Sequence, residues 1–73
     1  MNLIRLTSMN PRPQIGDIWQ AVPNKPIMIV DIVFDKRYNS HVAIMKHLSG
    51  DYPIFEVPVI SIRQGVDVWQ KIA

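Results

Sequence analysis

The sequence predicts a small all-β domain, and three observations lead to this prediction. Turn-forming residues divide the chain into short apolar segments, no amphipathic helix of useful length is present, and the longest apolar run, residues 27–34, has the length of a central strand. A chain of 73 residues forms one domain at most. A chain this short has too few residues to cover the edges of an open sheet, so we expect a closed or half-closed barrel of five strands.

Turn signals and alternation assign the five strands in order. The second and third strands are joined by a polar cluster at residues 35–40 and form a predicted β-hairpin. Pro58 precedes a short apolar segment, residues 59–63, which predicts one 3₁₀ turn before the last strand. The predicted strands are Ile15–Val22, Ile27–Phe34, His41–Leu48, Tyr52–Val57 and Val66–Ile72.

Alternation within the second strand assigns its two faces. One parity is wholly apolar, whereas the other carries both acids, Asp31 and Asp35. We expect the apolar parity to face the core, and both tryptophans to join it, because a core this small needs their area. In the first strand, the choice of buried face stays open. The expected core residues are Met28, Val30, Ile32, Phe34, Trp19 and Trp69.

The first 14 residues are predicted to form a flexible N-terminal arm, and residues 15–73 the barrel. Pro11 and Pro13 oppose both helix and central strand, because proline fixes φ and lacks an N–H group. Chain termini are commonly loose. The alternative is an arm that docks on another subunit or a partner through Leu3, Ile4 and Leu6.

Composition excludes several classes of protein. The chain has no cysteine, which removes disulfides and cysteine-based zinc sites. No apolar run is long enough to span a bilayer, and Arg5 interrupts the short apolar start, so neither a signal peptide nor membrane association is expected. We expect a cytoplasmic protein. Its net charge of +2 is too small to indicate a polyanion partner by itself.

The order of the predicted elements resembles that of SH3-like barrels, including KOW-type modules. The resemblance covers residues 15–72: Gly16-Asp17 leads into the first strand, a long hairpin and a fourth strand follow, and residues 58–62 precede a short last strand. The sequence also looks like small SH3-like proteins encoded by bacteriophages and prophages. Signalling SH3 domains carry adjacent tryptophans, whereas Trp19 and Trp69 lie far apart here, so recognition of proline-rich peptides is not expected.

No residue pattern indicates a catalytic, cofactor or metal site. His41 and His47 share a strand parity, but six residues of a straight strand separate them by roughly 20 Å, too far to share one metal ion. Asp31 interrupts the central apolar run, where a solvated or ion-paired carboxylate is the simplest interpretation. We therefore expect no enzyme. One alternative stays open, a symmetric oligomer that builds a shared central site.

The leading functional hypothesis is a non-enzymatic module that docks on a partner protein. Both faces of the second and third strands carry apolar side chains, and one layer of core cannot cover both. The partner would be a host or phage protein, with the module acting as a phage or mobile-element accessory factor, and self-association is a further option. The expected docking strip is Ile29, Asp31, Val33, Ala43 and Met45.

The alternative hypothesis is a barrel that binds nucleic acid. A basic cluster in the predicted hairpin loop contains a tyrosine that could stack on a base, and two more cations follow along the chain. The residues expected to bind nucleic acid are Lys36, Arg37, Tyr38, Lys46 and Arg63.

Overall fold

The computed structural model describes residues 9–73, which form one antiparallel sheet with one short helix. The strands lie in the order β4-β3-β2-β1-β5, so that the last strand returns to pair with the first. The predictions of a mostly-β protein and of five strands are confirmed for this part of the chain. The elements are β1 (Ile18–Gln20), β2 (Ile27–Asp35), β3 (Ser40–His47), β4 (Phe55–Pro58), α1 (Val59–Gln64) and β5 (Gln70–Lys71).

Strands β2 and β3 form the long hairpin that the sequence predicts. A turn at residues 36–39 joins them, and Asn39 takes up its left-handed φ of 50°. Asparagine tolerates this conformation better than other side chains with a Cβ. The Asp35 carboxylate accepts the backbone N–H of Arg37 at 2.8 Å, which closes the start of the turn.

A β-bulge interrupts the pairing of β2 with β3. Ile29 lies opposite Met45, but the next pair is Asp31 with Ile44, so Val30 has no partner across the hairpin. One extra residue in a strand reverses the face on which the following side chains lie. The apolar run therefore presents odd-numbered residues to the core before the bulge and even-numbered residues after it.

The predicted core parity of β2 is wrong for the part before the bulge. Ile27 and Ile29, predicted on the outer face, are buried at 5% and 0% exposure, whereas Val30, predicted in the core, is exposed. Phe34, also predicted in the core, lies on the core side after the bulge but is 51% exposed near the end of the strand. Of the other two expected core residues, Ile32 packs against the core from a partly buried position. Met28 is also half-buried. Strict alternation assumes a regular strand, and β2 is not regular.

The core lies between the sheet and α1. Trp19 is fully buried within it, as predicted, and Trp69 packs against it from a partly buried position. Apart from α1, every buried member of this cluster comes from β1, β2 or β3, so one face of the central strands carries the core. The cluster contains Trp19, Ile27, Ile29, Ala43, Met45, Val59 and Ile62.

The predicted 3₁₀ turn is instead an α-helix of six residues, α1. No side chain caps its N-terminus, which begins after Pro58. Val59 and Ile62, one turn apart, are buried against the sheet. Helices this short are unstable alone and owe their stability to tertiary packing, so the core contacts of these two residues explain why a helix forms here.

Asn10 satisfies the C-terminal end of α1. Its backbone N–H donates to the carbonyl of Arg63 at 2.8 Å, and its Nδ2 donates to the carbonyls of Ile62 and Trp69, both at 2.9 Å. The last carbonyls of a helix have no partner within the helix and need one from outside. Asn10 thus fastens the segment before β1 to the helix and to the chain leading into β5.

The N-terminal arm, predicted to include all of residues 1–14, does not extend to residue 14. Asn10 bonds to the helix and Pro13 is fully buried, so residues 10–14 belong to the folded body. Residues 1–8, which include Leu3, Ile4 and Leu6 of the alternative docking arm, lie outside the described part of the chain.

The Gly16-Asp17 pair joins the start of β1 to β2 and β5. Gly16 has φ +94° and donates its N–H to the Ile29 carbonyl at 2.8 Å, while the N–H of Ile29 donates to the Asp17 carbonyl at 2.9 Å. The Asp17 carboxylate accepts the indole N–H of buried Trp19 at 3.4 Å and lies 3.9 Å from Nζ of Lys71. This pair supplies the one polar partner that the buried indole has among the described residues.

Replacement of Ile29 with alanine should destabilise the fold by about 2–5 kcal/mol, because it removes most of a fully buried side chain. The matched control is Ile54→Ala, since Ile54 is 59% exposed and should lose no more than about 0.5 kcal/mol. Urea unfolding followed by tryptophan fluorescence measures both changes. Similar losses for the two variants would contradict the assignment of Ile29 to the core.

Candidate binding groove

A groove of about 220 Å³ lies between the turn end of the β2–β3 hairpin and α1. The hairpin forms one wall, the helix forms the other, and the segment before β1 contributes one arginine. Its walls combine apolar and cationic side chains without a carboxylate. The lining residues are Arg12, Phe34, Asn39, Ser40, His41, Val59, Ile60 and Arg63.

The apolar part of the groove is built on Phe34 and Ile60. Phe34 lies opposite His41 in the hairpin, and the two rings meet edge to face with centroids 5.4 Å apart. Phe34 is 51% exposed and Ile60 is 48% exposed, while Val59, which also lines the groove, is buried. Two large apolar side chains thus remain accessible to water around one depression.

The polar part of the groove is built on Arg63 and Arg12. The Nε atom of Arg63 is buried and has no hydrogen-bond partner among residues 9–73. Neither arginine belongs to an ion pair within this part of the chain. A buried guanidinium donor without an acceptor is costly for the folded state.

Asn10 positions this cationic wall. Because its side chain and backbone bond to the carbonyls of Ile62 and Arg63, the chain from Asn10 to Arg12 is held beside the end of α1. Arg12 and Arg63, 51 positions apart in the sequence, therefore line the same groove.

Arg37, in the hairpin turn, is engaged within the protein. Its Nη2 lies 2.6 Å from Oδ2 of Asp35 and 3.7 Å from Oε1 of Glu56. Hydrogen bonding to Arg37 holds the pKa of Asp35 below its ordinary value, and the same contact raises the pKa of the guanidinium. Because Asp35 lies in β2 and Glu56 in β4, the Arg37 side chain crosses the intervening strand β3.

The structure does not bring together the five residues predicted to bind nucleic acid. Lys36, Arg37 and Tyr38 share the hairpin turn, where the Arg37 guanidinium lies 5.3 Å from the Tyr38 ring centroid. Lys46 is near the far end of β3, roughly 20 Å from the turn at the usual rise of a strand. Arg63 lies in α1 and lines the groove. These residues form no continuous basic track.

The structure contradicts the expected exposure of the predicted docking strip at three of its five positions. Ile29, Ala43 and Met45 are fully buried in the core. The cause is that these three residues lie on the face of the hairpin that packs against α1. Asp31 and Val33 are exposed, as expected, on the opposite face of β2.

His41 and His47 lie near opposite ends of β3 and have different surroundings. His41 contacts Phe34 in the groove, while the His47 ring packs against Tyr52 and Phe55 at centroid distances of 4.5 and 5.5 Å. Within residues 9–73, no three histidine or acidic side chains cluster closely enough to hold a metal ion. The described helix is also too short to cross a membrane.

Sequence reasoning misses most of the groove. Arg12 falls in the predicted flexible arm, Phe34 in the predicted core, and His41 and Ile60 in no predicted site. Of the groove residues, Arg63 alone is a predicted binding residue, and for a different ligand class. The sequence carries only a weak signal for the others. The apolar run has the length of a strand, but apolar side chains stand at both odd and even positions, which is the pattern that a bulge leaves.

Replacement of Asn10 with alanine should lower the free energy of unfolding by about 1–3 kcal/mol. The reason is that the carbonyls of Ile62, in the helix, and of Trp69, in the segment after it, lose the side-chain N–H that donates to them. Denaturant unfolding measures the change. Gln64→Ala, at an exposed position of the same helix, is the control and should stay within about 0.5 kcal/mol of the parent. An Asn10 variant as stable as the control would show that this fastening adds nothing.

Replacement of Arg37 with glutamine should raise the pKa of Asp35 towards its ordinary value, because the guanidinium that stabilises the carboxylate is lost. A carboxyl whose pKa is lowered by folding adds stability above its ordinary pKa and loses it as pH falls through the lowered value. The stability difference between parent and variant should therefore shrink below the ordinary carboxyl pKa. NMR titration of the Asp35 carboxyl carbon checks this, and an unchanged midpoint in the variant would refute it.

Comparison of the chain with known protein families, with characterised proteins and with solved structures gives no significant match. The geometry of the groove therefore carries the functional argument by itself. Three features of the groove bear on function: accessible apolar side chains, two arginines without an ion-pair partner in the described residues, and a wall free of carboxylates.

Proposed function

We propose that this protein is a non-enzymatic binding module that docks on a partner protein through the groove between the hairpin turn and α1. The observation that carries the proposal is the placement of exposed Phe34 and Ile60 beside Arg63, whose Nε is buried without an acceptor in the described residues. Aromatic side chains and arginine are enriched at protein interfaces, and they dominate binding energy where they fill a pocket. The groove replaces the docking strip expected from the sequence.

We propose further that the sheet is an SH3-like barrel. Three features support this: β5 returns to pair with β1, α1 stands directly before the last segment, and the bulge at Val30 bends the longest strand. Bulges of this kind increase the local twist of a sheet and help it curl. A fold of this type hosts many functions, so the groove and not the topology supports the docking role.

The setting that we propose is that of a small phage or mobile-element factor acting on a host or viral complex, on the strength of the sequence resemblance. Nucleic-acid binding is the weaker candidate. Arg37 is engaged by Asp35 and Glu56, and Lys46 lies far from the turn. Affinity for nucleic acid depends on several phosphate contacts made together, and this arrangement of cations offers few.

Selection of binders from a random peptide library tests the docking role. Peptides recovered with the parent protein should bind Phe34→Ala and Ile60→Ala variants at least about tenfold more weakly, since a hot-spot side chain contributes about 2 kcal/mol and 1.4 kcal/mol is tenfold. Binding constants come from fluorescence anisotropy of the labelled peptides.

The matched controls are Tyr52→Ala and Ile54→Ala, which remove side chains of similar exposure outside the groove. Both controls should bind the recovered peptides like the parent. Recovery of no peptide, or equal binding by the groove variants and the controls, would contradict a docking role for the groove.

A further inference from the structure

The groove also indicates the chemistry of its partner, an inference that rests on the proposed docking function. Its cationic wall consists of Arg12 and Arg63, and no residue of its lining carries a negative charge. The carboxylates of Asp35 and Glu56, near the hairpin turn, are paired with Arg37 instead. A ligand entering the groove therefore meets uncompensated positive charge.

Arg63 is the side chain best suited to anchor a negative group. Its Nε is enclosed by protein and lacks an acceptor among the described residues, although the residue as a whole is only partly buried. Guanidinium groups bind carboxylates through two parallel hydrogen bonds, which are shorter and stronger than bonds between neutral groups. A carboxylate bound by this guanidinium would balance its positive charge in the groove.

The neighbouring surface selects for an apolar side chain. Phe34 and Ile60 stay about half exposed, and buried Val59 adds a third apolar side chain to the lining. The groove's volume of about 220 Å³ is below the range of about 300–1,000 Å³ that is typical of small-molecule pockets. That space suits one carboxyl group with one apolar side chain, and it is too small to contact several phosphates of a nucleic acid at once.

We propose that the groove recognises a protein segment in which an aspartate or glutamate adjoins a large apolar residue. The carboxylate binds Arg63, with Arg12 beside it, and the apolar side chain packs on Phe34 and Ile60. Arg63 sets the requirement for the acid, whereas Phe34 and Ile60 set the requirement for the apolar neighbour. The acid requirement is what this inference adds to the docking role.

Two matched libraries of short peptides test the acid requirement on the unaltered protein. Both carry random apolar residues around one fixed position, which is glutamate in the first library and glutamine in the second. The glutamate library should yield binders at least about tenfold tighter, and this preference should weaken as salt concentration rises. Equal affinities from the two libraries would overturn the inference.

Arginine variants assign the anchor. Arg63→Gln should weaken binding of the acidic peptides at least about tenfold. Arg63→Lys should weaken it by less, because lysine keeps the charge but cannot form two parallel hydrogen bonds with a carboxylate. Lys46→Gln is the matched control and should bind like the parent, since Lys46 is an exposed cation outside the groove, near the far end of β3. Should Arg63→Gln fail to fold, Arg12→Gln, at an exposed position, and the library comparison still decide.

The outcomes separate this inference from the docking role. Neutral and acidic peptides that bind equally, with binding lost in Phe34→Ala, would leave the docking role standing and remove the acid requirement. Absence of any peptide binder would remove both. Binding of a labelled single-stranded oligonucleotide that Arg63→Gln abolishes, without peptide binding, would replace the protein partner with nucleic acid.

Discussion

The β-bulge at Val30 is the constraint on which the rest of the structure depends. Because of the bulge, Ile27 and Ile29 before it and Ile32 and Phe34 after it lie on the same face of the strand. Without the extra residue, regular alternation would place Phe34 on the face opposite Ile29. The same local irregularity therefore completes the core and supplies the aromatic wall of the groove.

The groove begins where the core ends. The turn end of the hairpin extends beyond the buried cluster, and α1, which is six residues long, is too short to cover that end. Val59 and Ile62 face inwards from the helix, which leaves Ile60 outside next to Phe34. Asn10 then ties the helix end to the segment that carries Arg12. Core packing and the hydrogen bonds of Asn10 thus position a mixed apolar and cationic surface together.

Sequence reasoning could predict features that depend on local chemistry. The hairpin follows from the polar cluster at residues 35–40, and burial of Trp19 follows from the needs of a small core. Features set by tertiary contacts were out of reach: the parity of β2 depends on its pairing with β3, and α1 forms because Val59 and Ile62 find a core. Arg12 joins the groove through hydrogen bonds of Asn10 that span more than 50 positions.

Nuclear Overhauser contacts across the β2–β3 hairpin measure the central claim most directly. The bulged register predicts that the Asp31 backbone contacts Ile44 and the Ile32 backbone contacts Ala43, while Val30 shows no cross-strand partner. A regular ladder beyond the pair of Ile29 with Met45 would instead bring Val30 opposite Ile44 and Asp31 opposite Ala43. That second pattern would contradict the bulge, and with it the placement of Phe34 in the groove.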